Sequence, residues 1–420
     1  MSATKPFIIP KRLVLEAYKR VKANRGAAGI DGESLEVFDA NWAKNLYRIW
    51  NRMSSGSYFP SAVKAVPIAK KSGGERVLGI PTVSDRVAQT VVTLVLEPVL
   101  ESVFHEDSYG YRPGKSAHDA LSVTRKRCWD RDWVLEYDIR GLFDHIDHEL
   151  LLKALRHHCD EKWVLLYVER WLTAPMQSKD GKQEARTMGV PQGGPLSPLL
   201  ANLFLHYALD RWLTVHHPSV PFCRYADDGL VHCRTEEEAK ALYAQLVTRL
   251  AACGLEMHPG KTRIVYCKDR KRTGSHEHVT FDFLGYTFRP RRVIDRRGRV
   301  SMGFTPAVSR QSMKSMRQSM RRWRLSLRSE LSLEELAKLM STRVRGWIAY
   351  YCRYRGSEFQ PVAIHLDGII VRWAMRKYKR LHGHKVRAFA WLNGLKRRQP
   401  TLFAHWSGRG GFSVKAMGAR

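Results

Sequence analysis

Apolar residues follow two different spacings along the first 288 residues or so of this chain. In some segments they recur three or four positions apart, which is typical of helices, and in others every second position, which is typical of strands. The first spacing predicts helices over residues 12–22, 86–103, 198–213 and 235–253, the third of them amphipathic. The second predicts strands within residues 63–80, 133–139 and 222–233. Strands interleaved with helices predict an α+β domain.

Polar residues interrupt or line these strand segments at distinct positions. Ser72-Gly73-Gly74 divides residues 63–80, which predicts a hairpin. Asp227-Asp228-Gly229 divides residues 222–233, so we expect a tight hairpin with both carboxylates at its tip. In residues 133–139 apolar and polar positions alternate, which predicts a half-buried strand with Asp138 on its polar face.

After Arg289 the pattern predicts helices and the chain becomes strongly basic. An apolar stripe at helical spacing is formed by Met313, Met316, Met320, Trp323 and Leu327. A cationic stripe follows one residue later, at Lys314, Arg317, Arg321, Arg324 and Arg328. The apolar stripe predicts a packed helix face. The cationic stripe is either a solvated face or a surface for a phosphate backbone, and the lack of acidic neighbours favours the second.

Charge narrows the class of partner. The 420 residues carry a formal net charge of +31, and residues 289–420 account for +25 of it, with 31 Lys and Arg against six Asp and Glu. A small domain needs only about 2–8 net charges for solubility. We therefore expect a polyanionic partner, with nucleic acid favoured over an acidic membrane surface.

Other features of the composition favour a reducing compartment. The seven cysteines are widely spaced and contain no C-x-x-C pair, which argues against a disulfide framework and a cysteine zinc site. The first ten residues lack the apolar core of a signal peptide. The most apolar stretch, residues 87–100, is too short to cross a bilayer. A cytoplasmic protein, bound to no membrane, is expected.

Three carboxylates form the candidate chemical site. Asp138 at a strand end and Asp227-Asp228 at a hairpin tip can converge, and converging anions repel unless a cation neutralises them. Oxygen ligands suit Mg²⁺, and two such ions about 3.5–4 Å apart are a common arrangement for phosphoryl transfer. Turn chemistry for the hairpin pair and a helix cap for Asp138 remain as alternatives.

The order of the surrounding motifs resembles the reverse transcriptases encoded by group II introns, over essentially the whole chain. The matching segments, in family order, are NRGAAGIDG (24–32), RVLGIPTVSDRVAQ (76–89), FHEDSYGYRPGKSAHDAL (104–121), LEYDIRGLFDHIDH (135–148), VPQGGPLSPLLANLFLHYALD (190–210), RYADD (224–228), HPGKT (258–262) and FLGYTF (283–288). Eight collinear segments do not arise by chance.

The resemblance implies a right-hand polymerase. Fingers and palm with an antiparallel sheet would be followed by an all-helical thumb and maturase region. The implied divisions are an N-terminal extension with a fingers insertion (1–60), fingers and palm (61–290), and a basic helical thumb, maturase and DNA-binding region (291–420). Because the sequence ends at Arg420 without cysteine pairs, the form without a C-terminal HNH nuclease domain is expected.

The resemblance also assigns roles to residues of the polymerase. Asp138, Asp227 and Asp228 would be catalytic and would hold two Mg²⁺ ions, and Lys261 would protonate the leaving pyrophosphate. The nucleotide-binding residues would be Lys70 and Arg76 on the triphosphate, Phe143 against the sugar 2′-hydroxyl, and Gln192 on the incoming nucleotide. Asp144 and Asp147 are expected to be structural.

Contacts with nucleic acid would come from several parts of the chain. Gly285 and Tyr286 resemble the segment that grips the primer, and residues 24–32 resemble the loop that covers the template. In the basic region Arg317, Arg321, Arg324 and Arg345 would bind RNA. Tryptophans such as Trp347 and Trp373 are expected to lie in the helical core rather than to stack on bases.

The function implied is an RNA-directed DNA polymerase. It would bind its group II intron RNA, assist splicing, and copy the intron during target-primed retrohoming by two-metal-ion nucleotidyl transfer. Its partners would be the intron RNA, the DNA target and primer, and deoxynucleoside triphosphates. Two alternatives stay open: a free-standing reverse transcriptase of this type in DNA repair or defence, and a splicing chaperone with a vestigial polymerase.

Overall fold

A computed structural model describes residues 5–69, 74–294 and 298–407. The chain forms two compact units. The first consists of residues up to Ala120 together with Trp133–Ile264, and the second consists of Leu121–Asp132 together with the residues from Val265 onward. The sequence predicted a first division of 1–60, a second of 61–290 and a third of 291–420, whereas the contacts divide the chain near residue 264.

The first unit mixes helices and strands. Its helices are α1 (Lys11–Asn24), α2 (Leu35–Ala40), α3 (Trp42–Ser54), α4 (Val83–Glu101), α5 (Ala117–Asp130, which continues into the second unit), α6 (Leu142–His145), α7 (His148–Arg156), α8 (Lys162–Thr173), α9 (Ser197–Leu205), α10 (Arg211–His216) and α11 (Glu236–Ala251). Its strands are β1 (Val63–Ala69), β2 (Glu75–Ile80), β3 (Trp133–Asp138), β4 (Met176–Gln177), β5 (Gln183–Glu184), β6 (Phe222–Tyr225), β7 (Asp228–Cys233) and β8 (Arg263–Tyr266, which runs into the second unit).

Side-chain caps explain where several of these helices begin. The Thr82 hydroxyl accepts from the Asp85 amide before α4, and the Thr235 hydroxyl accepts from the Glu238 amide before α11. Asp147 caps α7 in the same way, which confirms its structural role. Each cap satisfies one of the amides that the first turn of a helix leaves without a partner. The predicted helices at 12–22, 86–103 and 235–253 are confirmed.

The strands of the first unit belong to two small sheets. In one, β1 and β2 form the predicted hairpin, and β4 and β5 extend it beside β1. In the other, β6 and β7 form the second predicted hairpin, and β3 pairs with β7 in antiparallel register. The prediction of a half-buried β3 is wrong, because five of its six residues are buried and Glu136 is partly buried. Even the polar Asp138 at the end of β3 is buried, with 8% of its surface exposed.

The helix predicted over 198–213 is interrupted. α9 ends at Leu205, a π-helical turn covers His206–Asp210, and α10 follows. It is also not amphipathic, because every α9 residue except Pro198 is buried. A helix that is apolar on all sides belongs to the middle of a core.

The second unit combines an antiparallel sheet with a helical bundle. Its strands β9 (Phe281–Phe283), β10 (Tyr286–Ile294) and β11 (Val300–Val308) are ordered β11-β10-β9. Its further helices are α12 (Arg310–Trp323), α13 (Leu333–Tyr351), α14 (Gln360–Lys377) and α15 (Lys385–Arg398), with short 3-10 turns at Leu325–Leu327, Gly356–Phe359 and Lys379–Leu381. The prediction of helices directly after Arg289 is wrong, because β10 and β11 pair as antiparallel strands and helical structure in this region begins only at Arg310.

The two predicted stripes of the basic region are confirmed only as far as α12 extends. Met316 and Met320 are buried, and Met313 and Trp323 pack against the same core. Arg324 ends α12 in the left-handed conformation, so Leu325 is buried instead and Leu327 is 51% exposed. Arg328 also leaves the cationic stripe and pairs with Glu330 at 3.0 Å. Trp373 is fully buried and Trp347 packs against the core, as predicted.

The cysteines and the helices bear on two expectations from the sequence, those of no disulfides and no membrane span. All seven cysteines are free thiols, six of them buried. Over the described residues, no helix is both long enough and apolar enough to span a bilayer.

Candidate active site

Three adjacent strands place two of the predicted carboxylates side by side. Asp138 lies opposite Asp228 in the β3–β7 register, and Asp228 lies opposite Tyr225 in the β6–β7 register. Residues in one such row point to the same face of a sheet. Asp227 occupies the two-residue turn between β6 and β7, where its carbonyl accepts from the Ile139 amide at 3.4 Å. The hairpin and the strand end thus converge, as the sequence predicted.

Lys261 completes this group from a distant part of the chain. Its ammonium lies 2.6 Å from Asp138 Oδ2. The backbone explains the position, because the His258 amide donates to the Asp138 carbonyl at 2.8 Å and a turn then returns the chain toward the strand. The HPGKT segment is therefore attached to the end of β3, and its lysine faces the carboxylates.

The close carboxylates shift one another's acidity. Burial raises the pKa of Asp227, and the charge of Asp138 adds to the effect. Although solvent reaches part of Asp228, protein atoms enclose the rest, and this burial together with Asp227 and Asp138 raises the pKa of Asp228. Burial alone would lower the pKa of Lys261, but its hydrogen bond to Asp138 and the neighbouring carboxylates raise it. The site has an excess of negative charge that attracts a cation.

A large cleft of about 1250 Å³ opens beside these residues. Six of the residues predicted for the polymerase site line it: Arg76, Asp138, Phe143, Gln192, Asp227 and Lys261. Strand β2 supplies Arg76, and α6 supplies Phe143. The cleft is large enough for a nucleoside triphosphate, since ligand sites typically measure about 300–1,000 Å³. Lys70, also predicted here, lies outside the described residues.

Backbone hydrogen bonds hold the walls of this cleft together. The Val190 amide donates to the Phe143 carbonyl at 2.7 Å, and the Gly79 amide donates to the Gln192 carbonyl at 2.8 Å. In addition, the side-chain nitrogen Nε2 of Gln192 lies 3.4 Å from Asp144 Oδ1. Phe143 is partly exposed to the cleft and Asp144 lines it as well, so Asp144 belongs to the cleft wall.

The donor set suits a divalent cation. Asp138 and Asp227 line the cleft, Asp228 lies opposite Asp138 in the β3–β7 register, and the Lys261 ammonium already lies 2.6 Å from Asp138 Oδ2. Among the residues that the structure describes, no group of three or more Asp, Glu, His or Cys side chains is placed to hold a metal ion. The residues fit the cation by chemistry and charge.

Several residues that were not predicted as site residues also line the cleft, among them Tyr111, Arg140 and His258. Tyr111 is 59% exposed, with a backbone φ of 58°, and Arg140 and His258 flank the end of β3. Arg140 pairs with Glu256 at 3.2 Å. Each follows a motif residue by only one or two positions or lies within a motif, but no spacing rule distinguishes a cleft residue from its neighbours.

The loop over residues 24–32, likened to a template cover, is fixed from below by Arg86. The Arg86 guanidinium donates to the Ala27 carbonyl at 2.7 Å, and Arg86 is itself 8% exposed. Most loop residues are solvent accessible. The loop is thus held in one conformation while its outer surface stays open.

The remaining predicted residues belong to the second unit. Tyr286 is fully buried and donates its hydroxyl to the Tyr350 carbonyl, so its side chain is part of the core. Gly285 lies in the β9–β10 turn with a φ of 78°. Arg321, Arg324 and Arg345 are exposed and Arg317 is partly exposed.

Comparison with known proteins yields two family matches. Residues 68–288 match the family "Reverse transcriptase (RNA-dependent DNA polymerase)", and residues 313–391 match "Group II intron, maturase-specific domain". The first match alone spans more than half of the chain and includes every cleft residue predicted from the sequence. The second match contains Arg317, Arg321, Arg324 and Arg345.

Individual relatives agree with these matches. Protein YkfC of Escherichia coli is 30% identical over 324 residues, which cover 68% of this chain and 81% of that protein. The group II intron-encoded protein LtrA of Lactococcus lactis is 34% identical over 200 residues, 47% of this chain and 33% of that protein. A 91 kDa protein in the cob intron of Schizosaccharomyces pombe is 30% identical over 216 residues, 50% of this chain and 26% of that protein.

The chain spans most of the length of YkfC and about a third or less of the two intron proteins. The cleft with its paired strands and carboxylates, the reverse transcriptase match and the maturase match point to one assignment. This chain belongs to the group II intron-encoded reverse transcriptases, the RNA-directed DNA polymerases that carry a maturase domain.

Proposed function

We propose that this protein copies a group II intron RNA into DNA at the cleft of its first unit and binds that RNA through its second unit. The observation that carries the proposal is the placement of Asp138 and Asp227 in one cleft, with Asp228 opposite Asp138 in the sheet and Lys261 on Asp138. Retrohoming primed by the DNA target and assistance to splicing are the roles that such a pairing of domains supports.

The cleft residues divide the work of nucleotidyl transfer. Asp138, Asp227 and Asp228 would hold two Mg²⁺ ions, which would activate a primer 3′-hydroxyl and stabilise the departing pyrophosphate. Arg76, exposed on β2, pairs with the triphosphate, and Lys70 is proposed to assist it. Phe143 faces the sugar, and Gln192, which also lines the cleft, contacts the nucleotide.

Lys261 is proposed as the general acid. Its ammonium is a proton donor within hydrogen-bond distance of a metal-binding carboxylate, and its carboxylate neighbours keep it protonated at neutral pH. Displacement of Asp138 from Lys261 on substrate binding frees the ammonium for the pyrophosphate oxygen. Gly285, Arg317, Arg321, Arg324 and Arg345 are proposed to contact primer or RNA.

An isosteric substitution tests the proposal. Asp227→Asn keeps the shape of the turn but removes the charge, and primer extension on an RNA template with Mg²⁺ should fall by at least about a hundredfold. Asp160→Asn, an exposed carboxylate of the same unit, is the control and should extend normally. RNA binding should be unchanged in both variants. Full extension by Asp227→Asn would contradict the assignment, and a vestigial polymerase would show no extension in the unmodified chain.

A further inference from the structure

Arg224, in the first strand of the hairpin that carries Asp227 and Asp228, is fully buried. Its guanidinium makes a two-pronged ion pair with Asp210, from Nε to Oδ1 at 2.7 Å and from Nη2 to Oδ2 at 2.5 Å. Neither side chain is exposed to solvent. A fully buried ion pair carries a large desolvation cost, and removing one partner leaves an uncompensated charge. The pair therefore calls for an explanation beyond stability.

The remaining donor of Arg224 points to such an explanation. Nη1 donates to the Ala226 carbonyl at 3.1 Å and to Asn202 Oδ1 at 3.0 Å. Ala226 is the first residue of the turn that carries Asp227. Its φ of 57° lies in the left-handed region, which residues other than glycine rarely adopt. Arg224 thus holds an unfavourable turn from beneath.

The neighbouring strands leave room for this arrangement. Arg224, Gly229 and Tyr137 lie in one row across β6, β7 and β3, on the face opposite to Asp138 and Asp228. A Cβ on Gly229 would lie 2.1 Å from the Tyr137 ring, so only glycine fits between them. The absence of a side chain at Gly229 therefore lets β7 pack closely against Tyr137 in the buried layer that also contains Arg224.

A second close contact fixes the turn from the side. A Cβ on Gly110 would lie 2.4 Å from the Ala226 nitrogen. The Gly110 carbonyl in turn accepts from the Asn202 side-chain amide at 2.8 Å. Asn202 is thus a bridge between the guanidinium and the backbone that touches the turn.

The helical partner of Arg224 also has an irregular backbone. Asp210 is the last residue of the π-helical turn at His206–Asp210. Such a turn contains one extra residue relative to an α-helix and rotates the residues that follow by about 100°. Here it brings a carboxylate at the end of a core helix under the hairpin.

We propose that Arg224 is a positioning residue for catalysis. Anchored by Asp210 and Asn202, it holds the Ala226 carbonyl and so keeps Asp227 aimed into the cleft. It touches neither substrate nor metal. The inference rests on the proposed polymerase function for its consequence, but the conformation of the turn can be measured without any activity.

Hydrogen exchange in the full-length, metal-free protein provides that measurement. Arg224→Lys keeps a charge for Asp210 but replaces Nε, Nη1 and Nη2 with one ammonium nitrogen, so it cannot keep both the two-pronged pair with Asp210 and the separate Nη1 hydrogen bond to the Ala226 carbonyl. Amides of residues 222–233 should exchange at least about tenfold faster than in the unmodified chain, while other segments keep their protection. Leu155→Ala, a core cavity in α7, is the control for lost stability and should raise exchange across the first unit without a selective effect on these amides. Unchanged exchange at residues 222–233 in Arg224→Lys would overturn the proposal.

Steady-state kinetics of the same variants test the consequence. The kcat for primer extension by Arg224→Lys should fall by about ten- to a hundredfold, because the carboxylate is misplaced, with KM for the nucleotide nearly unchanged. Adding Ala226→Gly, which makes the left-handed turn favourable, should restore part of both protection and kcat. A raised KM at normal kcat, or no restoration in the double variant, would refute the positioning role. An inactive unmodified chain would refute the proposed function alone, since exchange still decides the turn.

Discussion

The side chains around Asp138 do not balance one another's charge. The Lys261 ammonium neutralises Asp138, while Asp227 and Asp228 keep raised pKa values beside it. The three carboxylates repel one another, and Lys261 pairs with only one of them. We therefore expect these charges to change their ionic partners when a cation and a triphosphate bind. The reactivity proposed for the cleft therefore follows from its electrostatic imbalance.

Phe143 allows a sharp prediction about sugar selectivity. Its ring lines the cleft, and its carbonyl is fixed by the Val190 amide, so the ring has little freedom to retreat. Phe143→Val should raise incorporation of ribonucleotides relative to deoxyribonucleotides by at least about tenfold, since a ring that excludes a hydroxyl contributes on the order of 1.4 kcal/mol. Primer extension with each nucleotide alone measures the ratio.

The matched control for Phe143 is Phe59→Val. Phe59 is 70% exposed and does not line the cleft, so its substitution should leave the ratio of kcat/KM values unchanged. The same selectivity in Phe143→Val as in the unmodified chain would show that the ring is only packing.

Asp367 provides a prediction about stability and pH. This buried carboxylate accepts from His405 and Trp406 at 3.0 Å and from Lys396 at 2.5 Å. Burial alone would raise the pKa of Asp367, but His405 and Lys396 lower it below its ordinary value of 3.8. A lowered folded-state pKa contributes stability above the unfolded value, and that stability is lost as the pH falls through the folded value.

Asp367→Asn should therefore destabilise the second unit by about 3 kcal/mol at pH 7, because it leaves Lys396 without its charge partner. The difference from the unmodified chain should shrink as the pH falls below about 4. Urea unfolding monitored by tryptophan fluorescence measures both values. A difference that stays constant with pH would contradict the role given to the Asp367 charge, and Asp160→Asn is the exposed control.

At the scale of elements, α12 and α14 gather cations without acidic partners. Burial lowers the pKa of His365 on α14, and the positive charges of Arg372, Arg317 and Arg321 lower it further. Among the described residues no carboxylate pairs with these arginines. Like charges held together on two helices favour a polyanion that relieves their repulsion.

Salt dependence of RNA binding tests this helix pair. Neutralising Arg317 and Arg321 together, as Arg317→Gln with Arg321→Gln, should reduce the slope of log K against log salt by about two. Arg211→Gln with Lys162→Gln, exposed cations on α10 and α8, removes the same charge and should leave the slope unchanged. Equal effects from both pairs would show that net charge and not this surface binds RNA.

Elements also show where local patterns were insufficient. The apolar run of residues 198–213 predicted one amphipathic helix, yet its burial on all sides and its π-helical turn depend on the sheet and on Arg224. The stripe beyond Trp323 failed because Arg324 ends α12 in the left-handed conformation. Periodicity cannot locate such an end without a glycine or proline to mark it.

At the scale of the whole molecule, two compact units with separate cores predict two steps of unfolding. Scanning calorimetry should show two transitions. Asp367→Asn should lower only one of them, and Leu155→Ala should lower only the other, each by about 2–4 °C per kcal/mol lost. A single transition that both substitutions shift equally would show that the units unfold together.

Charge is divided along the same chain. Residues 289–420 hold +25 of the net +31, and the reverse transcriptase match precedes most of them. Carboxylates in the first unit attract cations, whereas the second unit presents cations to an anion. The division suits a polymerase in which catalysis and RNA binding are assigned to different regions.

The sequence by itself determined the α+β class, both hairpins, the candidate carboxylates, the basic region and the family resemblance. These features depend on spacing between near neighbours and on motifs that keep their order. Only the tertiary structure decided that Lys261 reaches Asp138 across 123 positions, that β3 is buried on both faces, and that Arg224 supports the turn of Asp227. The physical reason is that strand register, burial and charge pairing arise between distant segments, and no local pattern records which segments will meet.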